Sequence, residues 1–267
     1  MAIVHLESLD DPRVAVYRNL KDRDLLGRHG RFIAEGEFVV RRLLQSRFTT
    51  ESVLLADRCL ADFAPAVPED VTAYVAPQPV VNQIVGYRFH TGILACGVRP
   101  PPLRIGDVAA DDRDVLLVIC PDLNNSENLG GMIRIAAGFG ATAVVIGERS
   151  CDPFFRQTIR VSMGTIFSMP IVESDNILAD LQWLKTKHVE RIATVLSPQA
   201  QPLASVERLS RRVALLFGSE AQGLSGDVLA EADRAVTIPM QLGTDSLNVA
   251  ISAGIILHHA VYMALRE

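Results

Sequence analysis

Three polar clusters follow runs rich in Val, Leu and Ile, at residues 122–134, 218–223 and 243–248. In the first, Asn128 is available to cap a helix, the Gly130-Gly131 pair allows close backbone approach, and Arg134 stands one turn into the helix. These glycines lack the G-x-G-x-x-G spacing and no Walker lysine follows, which argues against a nicotinamide or P-loop site. In the second, Gly218, Glu220 and Gly223 form a turn that can leave backbone N–H and C=O groups open to a ligand. In the third, Thr244, Asp245 or Ser246 can cap the helix that follows. That explains one polar residue of the stretch from Gly243 to Asn248, not the whole group. The plainer alternatives stay open: Asn128 as a simple cap, Arg134 as a surface charge, and the second cluster as an ordinary turn.

The elements that must position these clusters alternate along the chain. Periodicity and Gly/Pro punctuation predict helices over 13–27 and 37–45, a short helix after Pro77, and strands at 31–34, 52–56, 71–75 and 92–96. The stretch GVRPPPLRIGD at 97–107 carries three consecutive prolines, which favour a stiff extended connection and exclude a helix. Beyond it come strands at 115–120, 142–146, 191–196, 213–217 and 235–238, with helices over 129–139, 176–187 and 248–264. Uninterrupted Val/Ile/Leu strands between helices imply a parallel sheet covered on both faces, and ligands on such sheets bind beyond the carboxyl ends of the strands. The expected organisation is a small α/β domain over 1–100, a proline-rich linker over 101–112 and an α/β domain over 113–267.

At 267 residues and 49% hydrophobic content the chain has ample material for packed cores. Its four cysteines, Cys59, Cys96, Cys120 and Cys151, lie far apart with no CxxC pair, which argues against a disulfide framework and a zinc site. The N-terminus lacks the basic and apolar regions of an export signal, and no stretch approaches the roughly 20 apolar residues of a membrane span. A soluble, reduced, cytoplasmic protein with no membrane attachment is expected. The net charge of −5 is unevenly spread, since residues 11–50 hold nine basic against five acidic side chains, a local +4. An ion-paired helix face and a nucleic-acid contact both explain that excess.

In their order and spacing, three segments resemble the SpoU/TrmH family of RNA ribose 2′-O-methyltransferases, a branch of the SPOUT superfamily. They are Asn128-Leu-Gly-Gly-Met-Ile-Arg134-Ile-Ala136, then Phe217-Gly218-Ser-Glu220-Ala-Gln-Gly223-Leu224, then Ile238-Pro239-Met240 with Ser246-Leu247-Asn248-Val249. VSMGTIFSMP at 161–170 is similar to the family's connecting segment. The resemblance covers roughly 113–265, and GRFIAEGEFVVRRLL and HTGILACG in the first hundred residues look like the ribosomal-protein-like substrate-binding domain that some members carry.

The resemblance implies a trefoil-knotted, parallel-sheet methyltransferase domain whose knot forms the pocket for S-adenosylmethionine, although knots are otherwise nearly absent from proteins. It also implies a homodimer, which the broadly apolar stretch 249–265 supports. By the family pattern, main-chain groups at Leu196, Gly218, Ile238, Met240 and Leu247 hold the cofactor, while Asn128, Arg134, Glu220, Ser246 and Asn248 serve catalysis. A guanidinium stays protonated at ordinary pH, so Arg134 is expected to steady the developing alkoxide and bind phosphate rather than to remove the proton. The methyl group arrives already activated, so no metal is required. Arg28 and Arg31 are expected to help hold RNA. Ribosomal RNA is the expected substrate, with transfer RNA the alternative, and a non-enzymatic RNA-binding or ribosome-assembly factor is the alternative of a different class.

Overall fold

The computed structural model describes the chain except for Met1, Glu7, Leu9, residues 19–29, 111–112 and 243–245, Glu267 and the side chain of Arg266. Arg28, Thr244 and Asp245, together with much of the helix expected over 13–27, lie outside the described residues. The chain forms two compact units, Met1–Pro101 with Pro153–Ser168, and Pro102–Asp152 with Met169–Glu267.

The first unit is built on a five-stranded mixed sheet: β1 (Ala2–His5), β2 (Arg31–Glu35), β3 (Thr50–Ala56), β4 (Thr72–Ala76) and β5 (Ile93–Val98), in the order β1-β4-β3-β5-β2. The β1 and β3 strands run parallel to β4, whereas β5 pairs antiparallel with β2 and β3. The helix Glu37–Leu44 buries Val39, Val40 and Leu43, and the helix Gln78–Val85 buries Val81, Ile84 and Val85. Where a helix was expected from residue 13, the chain makes a short 3-10 turn, Pro12–Tyr17, whose Tyr17 hydroxyl is buried against Ser52 and accepts from the Cys96 N–H (3.1 Å).

The units depart from the expected domain organisation in two places. Residues 153–168, expected in the C-terminal domain, belong to the first unit. Phe154 and Phe167 stack on Phe32 of β2 with ring centroids 5.4 and 5.5 Å away, and burying three rings outweighs proximity along the chain. The linker expected over 101–112 instead contains the helix Ile105–Ala109, whose Ile105 and Ala109 enter the second unit's core. The prolines forbid helix only as far as they reach. Arg104 accepts the role of cap, its own N–H donating to the Asp107 carboxylate (2.8 Å), so the helix starts just beyond the proline run.

The second unit is a seven-stranded parallel sheet. Its strands are β6 (Val115–Cys120), β7 (Ala143–Ile146), β8 (Ile171–Glu173), β9 (Glu190–Thr194), β10 (Gln201–Pro202), β12 (Arg212–Phe217) and β13 (Arg234–Thr237), in the order β10-β13-β9-β12-β6-β7-β8. The short strands β11 (Arg208–Leu209) and β14 (Leu265–Arg266) pair separately. Every residue of β6 is buried, as a strand covered on both faces requires. Leu117 and Ile119 share one core with Leu181 and Leu184 of the helix Ile177–Thr186, which leaves Leu116 and Val118 for the opposite face. From β6 the chain steps outward to β7 and β8, then returns on the other side of β12. That reversal leaves a crevice at the carboxyl ends of the central strands.

Candidate active site

The loops after β9, β12 and β13 enclose a cavity of about 740 Å³, completed by Ser246, Leu247 and residues of the helix Val249–His258. Its walls are largely apolar, with Phe217, Ile238, Val249 and Ile256 among them. All five residues expected to bind a cofactor, Leu196, Gly218, Ile238, Met240 and Leu247, line it, as do Glu220 and Ser246.

The loop after β12 explains one glycine outright. A Cβ on Gly218 would lie 2.2 Å from the Gly223 carbonyl carbon and 2.4 Å from the Leu224 nitrogen, so no larger residue fits without moving the backbone. The close approach comes from a tight loop: Ser219 N–H donates to the Gly223 carbonyl (3.2 Å) and Gly223 N–H to the Ser219 carbonyl (2.9 Å). Glu220 to Gln222 are thereby turned out at the cavity's edge, exposed.

Asn248 joins the three polar clusters. Its Nδ2 donates to Asn128 Oδ1 (2.8 Å) and to Glu220 Oε1 (2.8 Å). Its Oδ1 caps its own helix by accepting from Ala250 N–H (3.0 Å) and Ile251 N–H (3.4 Å). The cap expected from Thr244, Asp245 or Ser246 is therefore Asn248. Likewise Asn128 is not the cap of the helix Ser126–Gly138. Asn125 is, accepting from Glu127 N–H (2.8 Å) and Asn128 N–H (3.1 Å), which leaves the buried Asn128 side chain free to reach Asn248. The Asn124-Asn125-Ser126 run was the available signal, since several cap-forming residues precede that helix.

Arg134 stands apart. It is the ninth residue of its helix, two turns past the N-terminus rather than one, so helix-dipole assistance has faded at its position. It is exposed, does not line the cavity, and makes no hydrogen bond or ion pair with another described residue. Its helix runs alongside the helix Val249–His258: a Cβ on Gly131 would lie 3.1 Å from the Ala250 Cβ, and Phe139 meets the His258 ring (centroids 6.2 Å). Arg134 lies between those two points of contact. Outside the cavity, Arg31 of β2 pairs with Glu51 (2.6 Å).

Burial works against thiolate chemistry at two cysteines. Burial pushes the Cys120 thiol at the end of β6 up to about 12 and raises that of Cys151, the latter opposed by a hydrogen bond from Ser126. Both are neutral at physiological pH and are packing groups rather than nucleophiles. Among the described residues no group of His, Cys, Asp and Glu gathers as metal ligands do, and no helix is long and apolar enough to cross a membrane.

Residues 115–258 match the SpoU rRNA Methylase family. A Mycobacterium tuberculosis protein named an uncharacterized tRNA/rRNA methyltransferase is 35% identical over 259 residues, 92% of this chain and 87% of the relative. The 23S rRNA (guanosine(2553)-2′-O)-methyltransferase of Bacillus subtilis is 27% identical over 95% of this chain and 98% of its own. Among solved structures, the AdoMet-bound rRNA methyltransferase from Sinorhizobium meliloti superimposes with a TM-score of 0.83 at 25% identity, covering 97% of both chains.

Proposed function

This chain belongs to the SpoU rRNA methylase family, and we propose that it transfers the methyl group of S-adenosylmethionine to a ribose 2′-hydroxyl of ribosomal RNA, with its donor in the cavity at the strand ends. It is an S-adenosylmethionine-dependent RNA methyltransferase. One observation carries the assignment of the site: a single amide, Asn248, ties Asn128 and Glu220 together at the lip of the cavity. Three segments spread over 120 residues thus meet at the cavity's edge, which supports the alignment of donor and acceptor there.

The cavity suits the donor. Its volume falls within the roughly 300–1,000 Å³ of small-ligand pockets, and apolar walls with exposed backbone edges match an adenine ring. Gly218 lets the loop close on Gly223 and Leu224, which sets the shape of the cavity's edge. A sulfonium is positively charged and tolerates Glu220 at the edge, while Arg234 in the wall is paired with Glu190 (2.9 Å). When bound, S-adenosylmethionine supplies a methyl group already activated for displacement. The protein's share is then positioning, with Leu196, Gly218, Ile238, Met240 and Leu247 as the donor's walls. Asn128, Glu220, Ser246 and Asn248 fix the lip and the ribose.

On this reading Arg134 binds a phosphate beside the acceptor and steadies the developing alkoxide, with the 2′-hydroxyl proton passing to solvent water. A homodimer would account for Arg134 standing off its own cavity wall. Ile251, Ile255 and Tyr262 form an exposed stripe along the last helix and the turn after it, and Arg134's helix flanks that helix. A second copy docked on the stripe would receive Arg134 at its own cavity. We read the C-terminal segment as threaded in the trefoil knot of the family, and the first unit as a ribosomal-protein-like RNA-binding domain. RNA contact by Arg31 would require release from Glu51. A ribosomal substrate implies work in the cytoplasm. The test is to incubate the protein with S-adenosylmethionine and protein-free ribosomal or transfer RNA and analyse the nucleosides by mass spectrometry. A 2′-O-methylnucleoside in ribosomal RNA is expected; protein that binds the donor yet methylates neither RNA would overturn the assignment.

A further inference from the structure

At the carboxyl end of β2 the first unit presents two exposed aromatic rings among arginines. Phe38, in the first turn of the helix Glu37–Leu44, is 71% exposed although Val39, Val40 and Leu43 of the same helix are buried. So exposed a ring adds little burial to the fold. Tyr87 is also exposed (36%) and donates its hydroxyl to Glu35 (3.2 Å), three residues before Phe38. Arg156 lies over the Tyr87 ring, 5.1 Å from its centroid, and donates to the same carboxylate. Arg160, one turn on, approaches the other oxygen of Glu35 (3.9 Å) and keeps 60% of its side chain exposed. Arg42, one turn after Phe38, donates to the Met163 carbonyl (2.7 Å), three residues beyond Arg160. These contacts put both rings at one edge of the unit.

The charge of that edge is positive. Glu35 is buried between Arg156 and Arg160, and Glu37 pairs with Arg41 (2.8 Å), so neither carboxylate opposes an approaching anion. Arg88, next to Tyr87, is exposed and makes no hydrogen bond or ion pair with another described residue. An open ring, Phe38, among guanidinium groups suits a polyanion whose units have flat faces; a duplex would offer phosphates but no open base.

We infer that this edge receives an unpaired stretch of the RNA substrate, with Phe38 stacking a base and Arg42, Arg88 and Arg160 meeting phosphates. The inference rests on the reading of the chain as an RNA methyltransferase. It puts the principal contact at the end of β2 opposite Arg31, which Glu51 already neutralises.

The test measures fluorescence anisotropy of a fluorescein-labelled, mixed-sequence single-stranded RNA with the full-length protein. Phe38→Ala is expected to weaken binding between about fivefold and a hundredfold, and Phe38→Trp to preserve it. Replacing Arg88 and Arg160 together by alanine is expected to lower the slope of log affinity against log salt by about 1.4, two phosphates' worth for a single strand. Unchanged affinity and slope would overturn the inference. So would variants that bind naked RNA normally but lose assembled ribosomal subunits, a result that would assign the edge to a protein. Calorimetry with S-adenosylmethionine on the same samples separates the two readings. Wild-type protein that bound RNA through Phe38 but not the donor would defeat methyl transfer and leave this edge standing.

Discussion

Asn248 uses both ends of one amide: the oxygen caps the last helix while the nitrogen bridges Asn128 and Glu220. Replacing it by alanine removes a cap and leaves the buried Asn128 oxygen without its donor. Together these are expected to destabilise the protein by about 2–4 kcal/mol, read by urea denaturation. Asn248→Asp separates the two roles, because a carboxylate can still cap the helix but faces Glu220 with no donor. Stability in that variant should fall less than in Asn248→Ala, yet methyl transfer should drop comparably in both. The residue types at this site were legible in the sequence; their tasks were not. Asn128 looked like a cap because it precedes an apolar helix, and only its partner 120 residues away shows what its side chain holds.

Among the elements, the loop after β12 carries the strongest steric constraint. Gly218→Ala is expected to push the Gly223–Leu224 backbone outward and abolish saturable donor binding in calorimetry, while the sheet's far-ultraviolet circular dichroism survives. Donor affinity equal to wild type would show that the loop moves freely and that Gly218 does not shape the pocket. The parallel strands were readable because burial on both faces demands continuous Val, Ile and Leu, as in β6 and β12. The three-residue β8 was not, since so short a run shows no period, and it is held by neighbours rather than by its own pattern. The helix Ile105–Ala109 was masked by the prolines before it, whose local effect says nothing about apolar residues further on.

For the whole molecule, the position of Arg134 and the exposed stripe make a single prediction. Arg134→Ala alone should lower kcat by at least about a hundredfold, with donor affinity unchanged. A homodimer with sites shared across the interface should recover activity when Arg134→Ala chains are co-expressed with donor-defective Gly218→Ala chains, because one of the two sites then has both parts intact. No recovery in mixed dimers isolated by two affinity tags would mean that each copy supplies its own arginine, and Arg134 must then reach its own cavity. The exchange of residues 153–168 into the first unit belongs to this scale too, since three phenylalanines decide it against chain order.

Hydrophobic period and turn chemistry act over a few residues, and they suffice for most strands, for the α/β class, and for the motifs by which this chain resembles its family. Contacts between residues far apart in the chain follow from no local rule. Tertiary structure alone turned Asn248 toward Asn128 and Glu220, left Arg134 off its own cavity wall, paired Arg31 with Glu51, and gathered Phe38, Tyr87 and Arg160 at one edge. The reason is physical: a side chain's partner is set by which buried surfaces close over one another, and that is a property of the packed whole.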